Sequence, residues 1–400
     1  MPYRRTRRCT MPQKINFSVA SIGKEEEEAV LRVLRSGWLT TGKETLAFEN
    51  EFAAKTGAKH ALAVNSATSG LMLAYDAIGA KEGYKILTTP YTFASTALAA
   101  RHLGAHIEYA DIEKDSYSIS PEAVEQKLEI DAKNGKKIKA IVPVHIAGNV
   151  CNMKELKALA EHYNVKIVED AAHAFPSKTA LGFAGTLGDI GVFSFYATKT
   201  ITTAEGGMIT TNNDEYAKRM QVMRLHGIDR PIWDRYTKDK ASWEYDVIDA
   251  GYKCNLPDVL GAIGREQLKK ADMLFEKRSR IVKRYNEAFK DADFLTLPPD
   301  GDGNAWHLYL LRIKPEMLKI SRNEFGNMLQ DEGICISMHF IPHFRMTYFK
   351  KEYGLKAEDF PNAQEHFEKT ITLPLWPDMT DEMADQVIDT VLSIGKAHHA

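Results

Sequence analysis

The sequence predicts an α/β fold followed by a smaller α+β unit at its carboxyl end. Its 400 residues are too many for one small domain. Short apolar runs alternate with amphipathic helical patterns over roughly the first half of the chain, which indicates a mostly parallel sheet with right-handed crossovers. After residue 255 a long helical stretch begins and the alternation ends. We therefore expect two units, residues 15–255 and 256–400, with residues 1–14 as a disordered or added extension without function.

The first predicted helix starts at the acidic run EEEE (25–28). Negative side chains in a first turn favour the helix dipole, and Gly37 is a stop signal. The run is therefore interpreted as a helix start and not as a metal site. The apolar residues expected to face inward are Val30, Leu31, Val33 and Leu34.

Five short apolar runs predict strands that are buried on both faces of the sheet. They are HALAV (60–64), KILTT (85–89), HIEYA (106–110), IKAIVPV (138–144) and VKIVED (165–170). Helices are expected between them; one is SPEAVEQKLEIDAK, where Ser120 is a cap and Pro121 takes the first helical position.

The second unit is predicted to hang on a long connecting helix, residues 256–289. The elements expected after it are a strand WHLYLLRI (306–313), a helix near 321–332, a strand near 334–340 and a terminal helix from about residue 379. In such a fold the site lies at the carboxyl ends of the sheet strands, facing the second unit.

Composition excludes several classes of function. Lysine plus arginine is 52 and aspartate plus glutamate is 54, so the net charge of −2 argues against nucleic-acid binding. The four cysteines are far apart and form no CxxC pair, which predicts neither a zinc site nor a disulfide framework and fits a reducing cytoplasm. Because no apolar run is long enough to span a membrane, no membrane association is expected.

One lysine has an unusual setting. In FSFYATKTITTAEGGMITTNN, which begins at Phe193, Lys199 lies in a hydroxyl-rich turn between two apolar strands. A surface lysine in a polar hairpin loop is the plain interpretation. The alternative is a nucleophilic amine beside a phosphate-binding turn, with Ser194 and Thr198 as phosphate ligands.

Two further motifs favour the chemical interpretation. Asp170 ends the strand in VEDAAHAF, where it could cap a following helix or pair with a protonated heterocyclic nitrogen, as in enzymes that use pyridoxal 5'-phosphate (PLP). His173 lies three residues further on and could reach the same ligand. In VNSATSGLMLAY a strand runs into a helix through small residues, which leaves backbone N–H groups free for an anion.

Taken together, the chain resembles the DegT/DnrJ/EryC1/StrS family of PLP-dependent nucleotide-sugar aminotransferases from about Ile15 to its end. The segments that carry the resemblance are SGWLTTG, VNSATSG, TTPYTFAST, PVHIAGN, VEDAAHA, FSFYATKTITTAEGGM, LHGID, GYKCNLPDVLGAIG, AWHLYLLRI and LPLWPDMTDE. Within the family, AGYKCNLPD, the GI…MHF segment and LPLWPDMTD are most similar to the UDP-4-amino-4-deoxy-L-arabinose aminotransferases. The resemblance implies the aspartate-aminotransferase-like fold (fold type I), with a large mixed-sheet domain and a smaller α+β domain.

The resemblance also implies a role for each matching residue. Lys199 would hold the cofactor covalently and shuttle protons, and Asp170 would keep its pyridine nitrogen protonated. Phe93 would stack on the cofactor ring and His173 would contact its phenolic oxygen. The remaining positions are Thr68, Ser69 and Ser194 for the phosphate, Asn255 for the phosphate of the neighbouring subunit, and His307 and His339 near the sugar.

The implied reaction is a ping-pong transfer of an amino group from L-glutamate to a nucleotide-linked 4-keto sugar, in a cytoplasmic homodimer with shared active sites. Lipopolysaccharide or cell-envelope biosynthesis is the implied setting. Three alternatives remain. The enzyme could act on another keto position or sugar, such as a 3-keto sugar or a 4-keto-6-deoxy hexose. It could be a PLP-dependent dehydratase or epimerase, although dehydratase relatives carry His where this chain has Lys199. It could also be a PLP-binding protein without catalytic activity.

Overall fold

In the computed structural model, residues 14–229, 244–301 and 303–400 are described. Their first part forms a seven-stranded sheet in the order β1-β9-β8-β5-β4-β2-β3. Its strands are β1 (His60–Val64), β2 (Lys85–Thr88), β3 (His106–Tyr109), β4 (Ile138–Ile141), β5 (Lys166–Asp170), β8 (Ile190–Ser194) and β9 (Gly207–Thr211). A separate two-stranded hairpin consists of β6 (Lys178–Thr179) and β7 (Gly182–Phe183).

The sheet is mixed because β9 runs antiparallel to both of its neighbours, β1 and β8. The pairs β2–β3, β2–β4, β4–β5 and β5–β8 are parallel, as the alternation of strands and helices predicts. The accompanying helices are α1 (Lys24–Ser36), α2 (Lys43–Thr56), α3 (Ala67–Ala77), α4 (Ser95–His102), α5 (Pro121–Lys133), α6 (Met153–Tyr163) and α7 (Asp214–Met223).

The second part builds a three-stranded antiparallel sheet in the order β10-β11-β12. Its strands are β10 (Leu295–Thr296), β11 (Tyr309–Ile313) and β12 (Thr370–Leu373). Its helices are α8 (Asp258–Lys269), α9 (Ala271–Phe289), α10 (Arg322–Asp331), α11 (Thr347–Tyr353), α12 (Pro361–Lys369) and α13 (Asp381–Ala397). This part has its own core, in which Tyr285, Phe325 and Val387 are fully buried.

Helix α3 lies close on the large sheet because Gly70 faces it. A Cβ atom at that position would come within 2.7 Å of Val192 in β8 and 3.3 Å of Ile209 in β9. The close approach brings the N-terminus of α3 to the carboxyl end of β8, where the polar residues of the sheet also gather.

Two expectations about helices are wrong in part. In α1 the buried residues are Glu26, Ala29 and Val33, whereas Leu31 and Leu34 are 44% and 50% exposed. The long helix predicted over 256–289 is two helices that break at Lys270. The Lys270 ammonium binds Glu25 and Glu26 of α1, so the break is set by a tertiary contact and not by a glycine or proline.

The strand predicted near 334–340 is also wrong. This segment makes only two isolated bridges, Ile15 with Ile334 and Ser337 with Thr372. The strand predicted over 306–313 starts later, at Tyr309, because Trp306 adopts a positive φ of 49°. None of the described helices is long and apolar enough to cross a membrane.

Candidate active site

Lys199 lies in the loop that connects the paired strands β8 and β9, an excursion of the chain from the sheet. Ser194 at the end of β8 faces Gly207 at the start of β9, so the chain leaves and returns at one edge of the sheet. Within the excursion, the amide of Lys199 donates to the carbonyl of Tyr196 at 2.9 Å, and Thr203 donates its amide to Phe195 at 2.9 Å. The hydroxyls of three residues bond to backbone carbonyls and hold this turn in place: Thr200, Thr202 and Thr203.

The Lys199 side chain opens into a cavity of about 380 Å³ at the carboxyl ends of β5 and β8. Of the residues expected to form the site, the cavity is lined by Thr68, Phe93, Asp170, His173, Ser194, Lys199, His307 and His339. The expected site residues that do not line it are Ser69 and Asn255. Both parts of the chain contribute to the wall, as the position of sites in such folds predicts.

The amine of Lys199 is poised between its charged and neutral forms. Its pKa falls from its ordinary value to about 8, because burial disfavours the ammonium ion more than the nearby Asp170 carboxylate favours it. A neutral fraction is therefore present near neutral pH, which a nucleophilic or proton-accepting amine needs.

Asp170 ends β5 with only 4% of its surface exposed. Its Oδ2 accepts a hydrogen bond from Thr96 Oγ1 at 2.7 Å, and its Oδ1 accepts one from the amide of Ala172 at 3.2 Å. Burial raises the pKa of this carboxyl, while these two hydrogen bonds and the charge of Lys199 oppose the rise. No helix follows β5 directly, so Asp170 is not a helix cap; its two oxygens are fixed facing the cavity.

His173 has a defined tautomer. Its Nδ1 accepts the amide proton of Ala147 at 3.2 Å, so the ring proton of the neutral form is on Nε2. Burial, followed by the charge of Lys199, holds the pKa of His173 well below its ordinary value. The ring lies 4.4 Å from that of His307 and 5.5 Å from that of Phe340, between centroids. His173 is therefore a neutral hydrogen-bond donor within the cavity.

An anion site lies at the N-terminus of α3. Ser66 caps the helix by accepting the amide proton of Ser69 at 3.1 Å, which leaves the amides of Ala67 and Thr68 free of a side-chain cap. Gly207 lies directly against this turn, since a Cβ there would come within 2.9 Å of the nitrogen of Ala67. Ser194 and Thr198 line the same cavity as this helix N-terminus, and hydroxyls together with helix N–H groups are what a phosphate requires.

The two predicted residues outside the cavity have other contacts. The hydroxyl of Ser69 lies 3.1 Å from that of Ser66. Asn255 is 8% exposed, donates from Nδ2 to Thr41 Oγ1 at 2.7 Å and contacts the Lys253 ammonium through Oδ1. A role for Asn255 at the phosphate of a neighbouring subunit stays a prediction.

The three predicted aromatic and histidine positions lie at the mouth and on the far wall. Phe93 is 62% exposed, and its ring centroid lies 6.1 Å from that of Phe340. His307 is 4% exposed and its Nδ1 has no hydrogen-bond partner among the described residues. Burial and the charge of Lys199 lower the pKa of His339 to about 4, so this imidazole is neutral at physiological pH.

Sequence reasoning missed several groups that complete the site. Thr96 holds Asp170, and Thr92, whose Oγ1 lies 2.9 Å from that of Thr96, supports it in turn. Both belong to the TTPYTFAST segment. Asp170, which accepts the hydrogen bond from Thr96, lies 74 positions further along the chain, so no local pattern predicts this contact. The amide of Ala147 donates to His173 and holds its ring. Ala147 adopts a positive φ of 61°, which an alanine in the sequence does not predict. Ser66 and Ala67 of the predicted anion-binding turn also line the cavity. Other lining residues not expected to be part of the site are Ser95, Val144, Ala172, Tyr196, Glu205, Gly206 and Phe340.

These residues fit PLP as a cofactor. A lysine amine can hold its aldehyde, a buried carboxylate can face its ring nitrogen, and a helix N-terminus with hydroxyls can take its phosphate. The described residues contain no cluster of three or more His, Cys, Asp or Glu side chains suited to a metal ion.

Comparison with known proteins points in the same direction. The sequence model of the family described as the DegT/DnrJ/EryC1/StrS aminotransferase family matches residues 20–392. The spore coat polysaccharide biosynthesis protein SpsC of Bacillus subtilis (strain 168) is 41% identical over 393 residues, which are 96% of this chain and 99% of that protein. Two solved structures match at a TM-score of 0.88 and 29% identity over 96% of this chain. They are Streptococcus pneumoniae Spr1654 in its PMP form, 99% covered, and Helicobacter pylori PseC, an aminotransferase involved in the biosynthesis of pseudoaminic acid, 100% covered.

Proposed function

The chain belongs to the DegT/DnrJ/EryC1/StrS aminotransferase family and is a PLP-dependent sugar aminotransferase; on this premise we propose that it moves an amino group from L-glutamate to a nucleotide-linked 4-keto sugar. The observation that carries the proposal is the presence of Lys199 and Asp170 in one cavity with a helix N-terminus. A lysine at this position supports transamination over dehydration, because dehydratases of the family carry histidine there.

Each residue of the site has a proposed task. When bound, PLP supplies the electron sink that stabilises a carbanion next to the transferred nitrogen. Lys199 would hold the cofactor through its amine and would serve as the acid and base that moves a proton during the transfer; general acid–base transfer of this kind is worth about 10²–10⁴-fold in rate. Asp170 holds the proton of the ring nitrogen. His173 would donate from Nε2 to the cofactor's phenolic oxygen, and Phe93 would stack on its ring.

Two classes of acceptor sugar have support. The similarity of the GYKCNLPD and LPLWPDMTD segments to the L-arabinose-type aminotransferases favours a UDP-4-keto-pentose. The names of SpsC and PseC connect those proteins with spore coat polysaccharide and with pseudoaminic acid. The second candidate is therefore another keto sugar, such as a 4-keto-6-deoxy hexose. His307 and His339 are proposed to contact the sugar in either case, and cytoplasmic synthesis of a cell-envelope component is the proposed setting.

We further propose that the enzyme is a homodimer. Several large apolar side chains are exposed on the first helix and on the segments around it: Val19, Ile22, Leu31, Leu34 and Leu39. Exposed apolar side chains that lie close together in the sequence favour burial against a partner. A second copy would place Asn255 at the phosphate of the neighbouring site, and the exposed Phe93 and Tyr196 rings at the cavity mouth would be covered at the same time.

The first test is the absorbance spectrum of the purified protein with PLP, before and after L-glutamate is added. We expect a visible band from the lysine-bound cofactor that is replaced by the near-ultraviolet band of its amino form, with release of 2-oxoglutarate. Each keto sugar is then added in turn, and the amino sugar product is identified by mass spectrometry.

The variant Lys199→Ala is expected to lose turnover completely, while Lys139→Ala, which lies over the ring of Tyr84, keeps wild-type activity. Substantial transamination by Lys199→Ala would contradict the assignment. A visible band that glutamate leaves unchanged would point to a different donor or to a non-transaminating member, and loss of water from the sugar without glutamate consumption would identify a dehydratase.

A further inference from the structure

The first described residues are tied to the second part of the chain. The amide of Ile15 donates to the carbonyl of Gly333 at 2.9 Å, and its carbonyl accepts the amide of Cys335 at 2.9 Å. Ile15 is 1% exposed and packs in the core of that part. These contacts fix where the next residues of the chain must lie.

Two residues later, Phe17 reaches the wall of the active-site cavity. Its ring stacks on the imidazole of His339, with 5.5 Å between centroids and 21° between planes. His339 is otherwise held by Thr372, whose Oγ1 lies 3.1 Å from Nδ1, and by Tyr91, whose hydroxyl donates to the His339 carbonyl at 3.1 Å. Phe17 is thus the contact that covers one face of this imidazole.

We propose that Phe17 is a positioning residue for His339, so that the segment of residues 14–17 forms part of the sugar-binding wall. The inference rests on the proposed function to the extent that His339 contacts the sugar. The stack excludes water from one face of the His339 ring and limits rotation of the side chain. A side chain that is already ordered before the ligand arrives loses less conformational entropy on binding.

The protonation of His339 supports the same role. The titratable groups that face this ring are Lys199, whose charge lowers its pKa, and the neutral imidazoles His173 and His307. Burial is the largest cause of the low value of about 4. Removal of the Phe17 ring would let water reach His339 and raise its pKa toward the ordinary value of 6.5.

The test is the variant Phe17→Ala, examined first without cofactor. We expect the NMR titration midpoint of His339, assigned by its loss in His339→Gln, to rise by about one unit or more in Phe17→Ala. In the loaded enzyme we expect the KM for the keto sugar to rise about tenfold, with the rate of the glutamate half-reaction unchanged. Phe17→Tyr, which keeps the ring, should restore both values.

Ala20→Ser is the matched control, because Ala20 follows on the same segment, is exposed and has no proposed contact. If Phe17→Ala does not fold, Phe17→Leu replaces it; the leucine keeps apolar cover without a planar ring, and a smaller rise of the midpoint and of KM is expected. An unchanged titration midpoint and an unchanged KM in these variants would overturn the proposal. Failure of the proposed function is seen separately, since wild-type protein would then not react with glutamate although His339 still titrates.

Discussion

Lys199 and Asp170 influence each other's protonation inside the cavity. The carboxylate raises the pKa of the amine and the ammonium lowers the pKa of the carboxyl, while burial acts in the opposite direction on each group. Because burial prevails, the amine is partly neutral near pH 8 and the carboxyl is harder to ionise than in water. The two hydrogen bonds that Asp170 accepts favour its ionised form, which is the form that pairs with a protonated ring nitrogen.

Replacement of Asp170 by Asn is expected to lower the pKa of Lys199 below its value of about 8, because the carboxylate that favours the ammonium ion is lost. The shift should be about one unit. It is measured on the protein without cofactor, as the pH dependence of Lys199 labelling by an amine-specific reagent, with Lys199→Ala as the blank.

Asp272→Asn is the control, since this exposed carboxylate pairs with Lys55. A labelling midpoint in Asp170→Asn that stays the same or rises would mean that the carboxylate does not act on Lys199.

At the level of single residues, the sequence predicted the side chains that line the cavity better than the side chains that hold them in place. Lys199, Asp170, His173 and Ser194 lie in motifs whose residue types are unusual for their position, and all four line one cavity. The sequence did not predict a role for Thr96, because this helical threonine comes close to the Asp170 carboxylate only in the folded chain.

Among the elements, β5 is tied to the loop before β8 by a second carboxylate. Glu169 is fully buried, and its oxygens accept the amides of Gly185, Leu187 and Gly188 at 2.6–2.7 Å. The Nε2 of His145 donates to the same carboxylate at 2.9 Å, since its Nδ1 accepts the amide of Cys151. The cluster joins β5 to the loop that leads into β8.

Glu169→Gln is expected to lower the free energy of unfolding by about 3 kcal/mol, because an amide NH₂ would then face backbone donors that have no other acceptor. Chemical denaturation monitored by circular dichroism measures the change. Glu161→Gln on the exposed face of α6 is the control and should leave the stability unaltered. A loss below about 1 kcal/mol for Glu169→Gln would show that the cluster contributes no more than an ordinary hydrogen bond.

Strands and helices of the first part follow from local patterns, and the errors occur where a distant contact decides. All five predicted strands form, β1 with the predicted bounds and the other four with shorter bounds. The helical pattern over 256–289 has no local interruption, yet the chain breaks at Lys270, whose side chain reaches α1. In residues 334–340 apolar side chains alternate as they do in a strand. On one side, however, the segment pairs only with Ile15 through a bridge one residue long, which is too short to make a strand.

On the scale of the whole molecule, α1 presents an apolar surface that the described chain does not cover. Sequence predicted Leu31 and Leu34 in the core, since helical spacing alone does not tell which side of a helix has a partner. The exposed pair fits the proposed homodimer, in which the second copy would be that partner.

The double variant Leu31→Asp with Leu34→Asp is expected to raise the dimer dissociation constant at least about a hundredfold, since burial of one leucine contributes about 1.5–3 kcal/mol. Sedimentation velocity over a range of concentrations measures it. Activity should fall in proportion to the dimer, because Asn255 is proposed to act across the interface. The control is Ile130→Asp on α5, where an equally exposed residue has no proposed partner; a double variant that stays dimeric at low concentration would place the interface elsewhere.

The adjacent carboxylates Glu169 and Asp170 limit where residues can be inserted into the chain or deleted from it. Adjacent residues of a strand point to opposite faces of the sheet, so one carboxylate of β5 serves the loop near β8 and the next serves the cavity. A slip of one residue along β4 and β8 would turn Asp170 away from the cavity and Glu169 away from the loop amides that it now accepts. Insertions and deletions between α6 and β5 are therefore opposed by stability and by catalysis at once, and this short connection should be the least tolerant of length variation in the fold.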